Sequence, residues 1–362
     1  MKILFSGGGT LGPVVPLLAI AEIYKKYNPQ TEFIWVGTEN GPEKEMIAEY
    51  NMPFFTVMSG KLRRYISLWN FFDVFKIIFG FFQSLFLLWQ EKPNLLITAG
   101  GFVSVPLHMA AFVLGIPAWV HQQDFQAGLA NRLMARTAKK VTTALRETQA
   151  QFVEKKTEWI GNPVRDLSPK GVDNFRAKIG IPPGAPVILA MGGGTGSSSI
   201  NKLVIEALPA WPRHWHVIHL TGKERPRELQ ENAVKVFPNY HVYPFFKEEM
   251  KEAYAIADVV IARAGFATIT ELASLAKPAI FLPMAHTHQE VNARLLADNK
   301  AAVIMDERID TGLKLAKIVA DLIEFPETRA YLGKRLHDIL PAARPEKIVE
   351  IIHQCAPRDS NP

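Results

Sequence analysis

The chain has 362 residues, 48% of them hydrophobic and 21% charged, enough for two domains with a core each. A single cysteine, Cys355, excludes a disulfide framework and suits a reducing compartment. A formal charge of +6 and a pI near 9.2 permit an anionic partner but select none among phosphate, nucleic acid and an acidic membrane surface.

Met1-Lys2 runs directly into a strand-like segment without a small-residue cleavage site, so no signal peptide is expected. Strand-like apolar runs follow at 2–5, 33–36, 54–57, 95–98, 118–121, 140–143 and 158–160. A second series lies at 187–191, 216–220, 241–245, 259–262, 279–282 and 302–305. Helical patterns separate them, which predicts βαβ units on parallel sheets. Each series opens with a strand, a glycine loop and a helix: GGGTLG at 7–12 and GGGTGS at 192–197. The halves therefore read as two Rossmann-like domains, 1–163 and 164–344, joined through the proline-rich stretch 161–186. After LPAARPEK at 340–347 a last helix, about 345–357, is expected to pack back on the first domain.

The segment 61–92 is unusual. Trp69, Phe71, Phe72, Phe75, Phe79, Phe81, Phe82, Phe86 and Trp89 crowd it, with Lys61, Arg63 and Arg64 at its flank. Its charge-free run, 77–90, is short for a span of roughly 20 residues. Trp69, Phe72, Phe75, Phe79 and Phe82 follow helical spacing, which predicts an interfacial helix beside a buried one, on an anionic membrane surface.

A glycine loop between strand and helix lets backbone N–H groups approach a phosphate. Gly7, Gly9 and Gly12 have dinucleotide spacing, but the ribose-binding acid should come about 20 residues on. Glu39 is 27 residues past Gly12, too late for NAD or FAD. Pro13 suits the first helical position and supplies neither a donor nor an acid or base. In the second half Arg263-Ala264-Gly265 precedes a helix starting near Thr268. Thr268 with Glu271 forms a capping-box pattern, or Glu271 accepts from a ribose diol. Gln289 and Asn292 are spaced to meet sugar hydroxyls. His286 and His288 lack a third ligand, and no Asp-x-Asp pair occurs, so neither metal nor cofactor is expected.

The motifs together become specific. The first glycine loop, TAGGFVSVPLHMAAFVLGIPAWVHQQ at 98–123 with AGLANRLMAR after it, GNPVR at 161–165, the second glycine loop, PFFKEEMKEAYAIADVVIARAG at 244–265 and HQEVNA at 288–293 occur in order along nearly the whole chain. The chain resembles the MurG family of glycosyltransferases of peptidoglycan synthesis. The resemblance implies an α/β GT-B architecture, two Rossmann-like parallel-sheet domains facing a cleft. It implies transfer, with inversion, of N-acetylglucosamine from UDP to undecaprenyl-diphosphate-N-acetylmuramyl-pentapeptide, by a peripheral protein on the cytoplasmic face of the membrane, without nucleic acid.

By position, the resemblance places Phe246 at the uracil, Phe266, Ala267 and Thr268 at the donor phosphates, and Glu271 at the ribose. Gln289 and Glu290 fall at the sugar hydroxyls, Arg165 near the phosphates, and Gly193, Gly194, Thr195 and Gly196 in the second phosphate loop. Thr10, Leu11, Gly12 and Pro13 would face the acceptor diphosphate and the reacting sugar. Departures accompany the match. The family usually has histidine, a favoured candidate base, at Pro13 and glycine at Leu11. Its HEQN motif reads His121-Gln122-Gln123-Asp124, and Gly194-Thr195 replace Ser-Gln. Asp124 becomes the expected base, with His121 behind it. A transferase for another lipid acceptor, a non-catalytic binder of UDP-sugar or lipid diphosphate, and a UDP-sugar epimerase are the alternatives.

Overall fold

A computed structural model describes residues 1–60, 68–222, 232–235 and 237–356. The chain divides into two compact units, Met1–Asp166 with Pro341–Pro362, and Leu167–Leu340. The divide lies a few residues from the boundaries expected at 163/164 and 344/345. Local bonds account for this: Asn162 N–H donates to Pro341 O at 3.2 Å, Ala343 N–H to Asn162 O at 2.8 Å, and Lys26 pairs with Asp166 at 3.0 Å.

The first unit carries seven parallel strands: β1 (Lys2–Ser6), β2 (Glu32–Gly37), β3 (Phe54–Thr56), β4 (Leu95–Thr98), β5 (Ala118–Gln122), β6 (Lys140–Thr143) and β7 (Thr157–Trp159). Their order is β3-β2-β1-β4-β5-β6-β7. Both faces are covered, so the strands read as continuous apolar runs. Alternation along β1 then assigns the faces. Ile3 and Phe5 pack with Leu17 and Ile20 of the Val14–Tyr27 helix and with Ile348, Ile351 and Ile352 of the Pro345–Cys355 helix. Leu4 packs on the other side with Leu88, Leu107 and Ala110.

The second unit has six parallel strands: β8 (Val187–Met191), β9 (His216–Leu220), β10 (Tyr240–Tyr243), β11 (Val259–Ala262), β12 (Ala279–Phe281) and β13 (Val303–Ile304), in the order β10-β9-β8-β11-β12-β13. In each sheet the connections change side beside the first strand, between β1 and β4 and between β8 and β11. A crevice opens at the C-terminal ends of the strands at such a switch point. Both glycine loops leave the sheet there.

The aromatic segment is one helix, Leu68–Glu91, rather than an interfacial helix beside a buried one. Residues 61–67, including Lys61, Arg63 and Arg64, lie outside the described residues, as do the side chains of Trp69, Phe71 and Phe72. One helix suffices because its two faces differ. Gly80, Ser84 and Leu88 are buried at intervals of four, while Phe75, Phe79, Phe82, Phe86 and Trp89 are exposed. Ser84 Oγ donates to Gly80 O at 2.6 Å. A Cβ at Gly80 would strike the Met58 carbonyl, which is backbone and cannot turn aside. Gly80→Ala is therefore expected to cost about 3 kcal/mol in thermal denaturation. Phe82→Ala, on the exposed face, should stay within about 0.5 kcal/mol. Among the described residues no helix is long and apolar enough to cross a membrane.

Candidate active site

Because β8, β11 and β12 are neighbours, the loops after them leave one sheet edge side by side. The Phe266–Ser274 helix begins there, with Gly265 at its N-cap and no side-chain cap. The first-turn N–H groups of Phe266, Ala267 and Thr268 thus have no acceptor within the helix and lie at its positive end. Thr268, expected near the helix start, is already its third residue. The capping-box reading of Thr268 and Glu271 is thereby excluded, since a glycine holds the cap position. Glu271 is buried, and its Oε2 accepts from Tyr254 OH at 2.9 Å.

The His288–Asp298 helix is capped by Thr287, whose Oγ1 accepts from Gln289 N at 3.2 Å. Gln289 Oε1 accepts from Met284 N at 3.0 Å, which leaves its NH2 group for other partners. Glu290 lies 3.8 Å from Arg308. Asn292, expected at sugar hydroxyls, is buried and donates to Ala264 O at 3.2 Å, so it ties the helix to the β11 loop. Gly193, Gly194 and Thr195 are exposed, whereas Gly196 is buried and donates to Gly193 O at 3.0 Å. Phe246 is buried against Tyr243 and Phe175, with ring centroids 4.6 and 5.9 Å away.

In the first unit the loops after β1, β4 and β5 are likewise adjacent. Gly101 has φ +91°, and a Cβ there would stand 3.0 Å from Gly8 O, so only glycine lets the β4 loop pass the β1 loop. Thr10 is exposed; Leu11 and Gly12 are half-buried. Leu11 O accepts from Val14 N at 3.1 Å and Val15 N at 3.2 Å. Pro13 already has helical dihedrals, φ −66° and ψ −17°.

Glu43, which no sequence pattern marked, is fully buried beneath this loop. Its carboxylate accepts from Thr38 N at 2.7 Å and Gly9 N at 3.2 Å, and from the Thr38 hydroxyl. A dinucleotide pyrophosphate at Gly8–Gly9 would meet this anion, which opposes the NAD or FAD reading. It also removes the Gly9 N–H from any phosphate site and leaves Thr10–Pro13 as the accessible part.

The β5 loop explains one departure from the family pattern. Gln122 Nε2 donates to Asp124 O at 2.8 Å and to Gln126 O at 3.2 Å. A glutamate has no donor for those carbonyls. Asn131 Nδ2 donates to Gln122 Oε1 at 2.6 Å, which orients both amides. Asp124 is half-buried on the loop so shaped. Gln123 Oε1 and Asn131 Oδ1 are buried and have no hydrogen-bond partner among the described residues. Two unpaired acceptors at this edge suit hydroxyl or N–H donors of a ligand. Arg165 is half-buried in the first unit, within electrostatic range of Tyr50.

His121, the second candidate base, is fully buried, and both ring nitrogens are engaged: Nδ1 with Thr142 Oγ1 at 2.8 Å and Nε2 with Asn162 Oδ1 at 2.7 Å. That geometry gives it the task of holding β5 to β6 and to the 161–163 turn, not of meeting a substrate. Burial pushes its imidazole down to about 4, against the opposing effect of Asn162. The folded chain then binds fewer protons than the unfolded chain, so stability rises with pH in this window. The contribution is fully present above pH 6.5 and lost as pH falls toward 4, about 3 kcal/mol in all. Urea unfolding across that range should show the loss; because burial also lowers His108, His219 and His241, His121→Gln should lessen the slope without abolishing it, and an unchanged slope in the variant would contradict the assignment.

Residues 3–143 match the glycosyltransferase family 28 N-terminal domain, and residues 187–339 match the glycosyltransferase family 28 C-terminal domain. A Staphylococcus aureus (strain bovine RF122 / ET3-1) protein named UDP-N-acetylglucosamine--N-acetylmuramyl-(pentapeptide) pyrophosphoryl-undecaprenol N-acetylglucosamine transferase is 39% identical over 314 residues, 84% of this chain and 86% of that protein. The crystal structure of Acinetobacter baumannii MurG aligns with a TM-score of 0.75 at 26% identity, covering 98% of this chain and 99% of that one. A UDP-GlcNAc 2-epimerase from Neisseria meningitidis, at 15% identity and a TM-score of 0.67 over 98% of this chain and 100% of that one, shares the fold alone. The two parallel-sheet, Rossmann-like units make this an α/β protein of GT-B fold. The chain belongs to glycosyltransferase family 28 and, within it, to the MurG family.

Proposed function

We propose that the chain is an inverting glycosyltransferase that moves N-acetylglucosamine from UDP-GlcNAc to undecaprenyl-diphosphate-N-acetylmuramyl-pentapeptide. The observation that carries this is the uncapped helix N-terminus at Phe266–Thr268, one turn before the buried carboxylate of Glu271. The first-turn N–H groups take the donor diphosphate, with Gly193–Gly196 as further contacts. Glu271 accepts from the ribose diol, the backbone at Phe246 meets the uracil, and Gln289 and Glu290 hold the sugar.

The acceptor diphosphate meets Thr10–Pro13. Gln123 Oε1 and Asn131 Oδ1 accept from its hydroxyl or N–H groups. Asp124 takes the proton as the acceptor oxygen attacks C1 of the sugar; the bond from C1 to the UDP oxygen breaks, and the diphosphate leaves with the electron pair. Its charge is met by N–H dipoles rather than by a metal ion, so a chelator should leave the rate unchanged.

The exposed stripe Phe75, Phe79, Phe82, Phe86 and Trp89 lies in the interface of the cytoplasmic membrane face. Met109, Phe112 and Val113, exposed on the Ser104–Val113 helix, extend the apolar surface. Incubation with UDP-GlcNAc and a short-chain lipid-linked muramyl-pentapeptide should give the disaccharide product and UDP by mass spectrometry. Transfer only to a different lipid, such as diacylglycerol, would reassign the acceptor. The absence of histidine at Pro13 favours one rival, a non-catalytic binder; tight UDP-GlcNAc binding without product on any acceptor would establish it.

A further inference from the structure

Glu307 lies just after β13, outside every motif described above, yet its side chain joins two of the donor loops of the second unit. It is 14% exposed, and its Oε2 stands 2.6 Å from Arg263 Nη2 in the β11 loop. Ala285 N–H, in the β12 loop, donates to Oε1 at 3.1 Å. Ser199, just past the β8 glycine loop, also lowers the pKa of its carboxyl. Arg263 extends the chain of contacts, because its Nη1 donates to Leu282 O at 3.0 Å.

The ion pair is short but poorly aligned as a hydrogen bond, and Arg263 Nε has no hydrogen-bond partner among the described residues. Burial pushes the Glu307 carboxyl up, but Ser199, the Ala285 N–H and Arg263 outweigh it and hold it below the ordinary value. His286, next to Ala285, has φ +60°, in the left-handed region that few non-glycine residues adopt. Met284 in the same loop presents its N–H to Gln289.

We propose that Glu307 is a positioning residue for the donor sugar: by clasping Ala285 and Arg263 it fixes the β12 loop, and through it Gln289, beside the Phe266 helix. This rests on the donor assignment above. Glu307 touches no substrate and acts through the loops alone.

The test uses the full chain and three variants, Glu307→Ala, Glu307→Gln and the double change Arg263→Met with Glu307→Leu. Thermal midpoints, calorimetric affinities for UDP and UDP-GlcNAc, and KM and kcat are measured for each. Glu307→Ala should raise KM for UDP-GlcNAc roughly tenfold, with kcat lowered less than about threefold and UDP affinity nearly unchanged. Glu307→Gln keeps an acceptor for Ala285 and should recover part of that loss. The double variant removes both buried charges and should regain thermal stability while KM stays high. A wild-type KM in Glu307→Gln and in the double variant, even if Glu307→Ala fails to fold, would reduce Glu307 to a stability role and overturn the proposal. A wild-type chain that binds neither UDP nor UDP-GlcNAc would instead overturn the donor assignment, and the role of Glu307 with it.

Discussion

Glu271→Ala is expected to lower kcat/KM for UDP-GlcNAc by about 10²- to 10³-fold and to leave acceptor affinity unchanged. The size follows from burial. The Glu271 carboxylate is 9% exposed, and its Oε2 is held by Tyr254 OH at 2.9 Å. A pre-oriented, largely desolvated acceptor for the proposed ribose contact is lost. Tyr254→Phe keeps the carboxylate but loosens it, so it should cost only about tenfold. Steady-state kinetics with donor and acceptor varied separately checks both. An effect of Glu271→Ala on acceptor KM with donor KM unchanged would contradict the donor role.

Asp124→Asn is expected to lower kcat by about 10²- to 10⁴-fold, the usual range for loss of a general base. The thermal midpoint should move little, because several other groups also hold the loop. Gln122 binds two of its carbonyls, Gln151 Nε2 donates to Phe125 O at 2.8 Å, and Ala127 N donates to Gln151 Oε1 at 2.9 Å. The family pattern supplies a sharper test. Pro13 has dihedrals any residue adopts, φ −66° and ψ −17°, so histidine fits there without strain. Pro13→His combined with Asp124→Asn should regain much of the lost rate. Full activity of the single Asp124→Asn variant at saturating substrates would remove Asp124 from the mechanism.

Much of the fold was legible in the residues, for a physical reason. Strands of a parallel sheet are covered on both faces, so runs such as Leu95–Thr98, Val187–Met191 and Val259–Ala262 stand out as short apolar blocks, and the structure has them at those bounds. Less local features were not legible. The aromatic segment suggested two helices because its apolar residues exceed one buried face; the structure resolves this by leaving one face exposed and seating Gly80 against Met58. Thr268 resembled a cap because capping is recognised by side chain, whereas Gly265 holds that position through its backbone alone.

The site was legible only where a motif marked it. His121 stands inside a motif, but its strand, AWVHQ, is buried throughout, a signal that it points into the protein. Glu43 and Glu307 act through contacts distant in the chain, Glu43 with Gly9 and Glu307 with Arg263. No local pattern announces a buried carboxylate whose partners arrive from another loop.

The most direct measurement is a crystal structure of the chain with UDP-GlcNAc bound. The nucleotide should lie on the second unit, its diphosphate at the N–H groups of Phe266–Thr268 and its ribose at Glu271. Density for the nucleotide sugar against Gly7–Gly12, with the neighbourhood of Glu271 unoccupied, would contradict the assignment of donor and acceptor sites on which the rest depends.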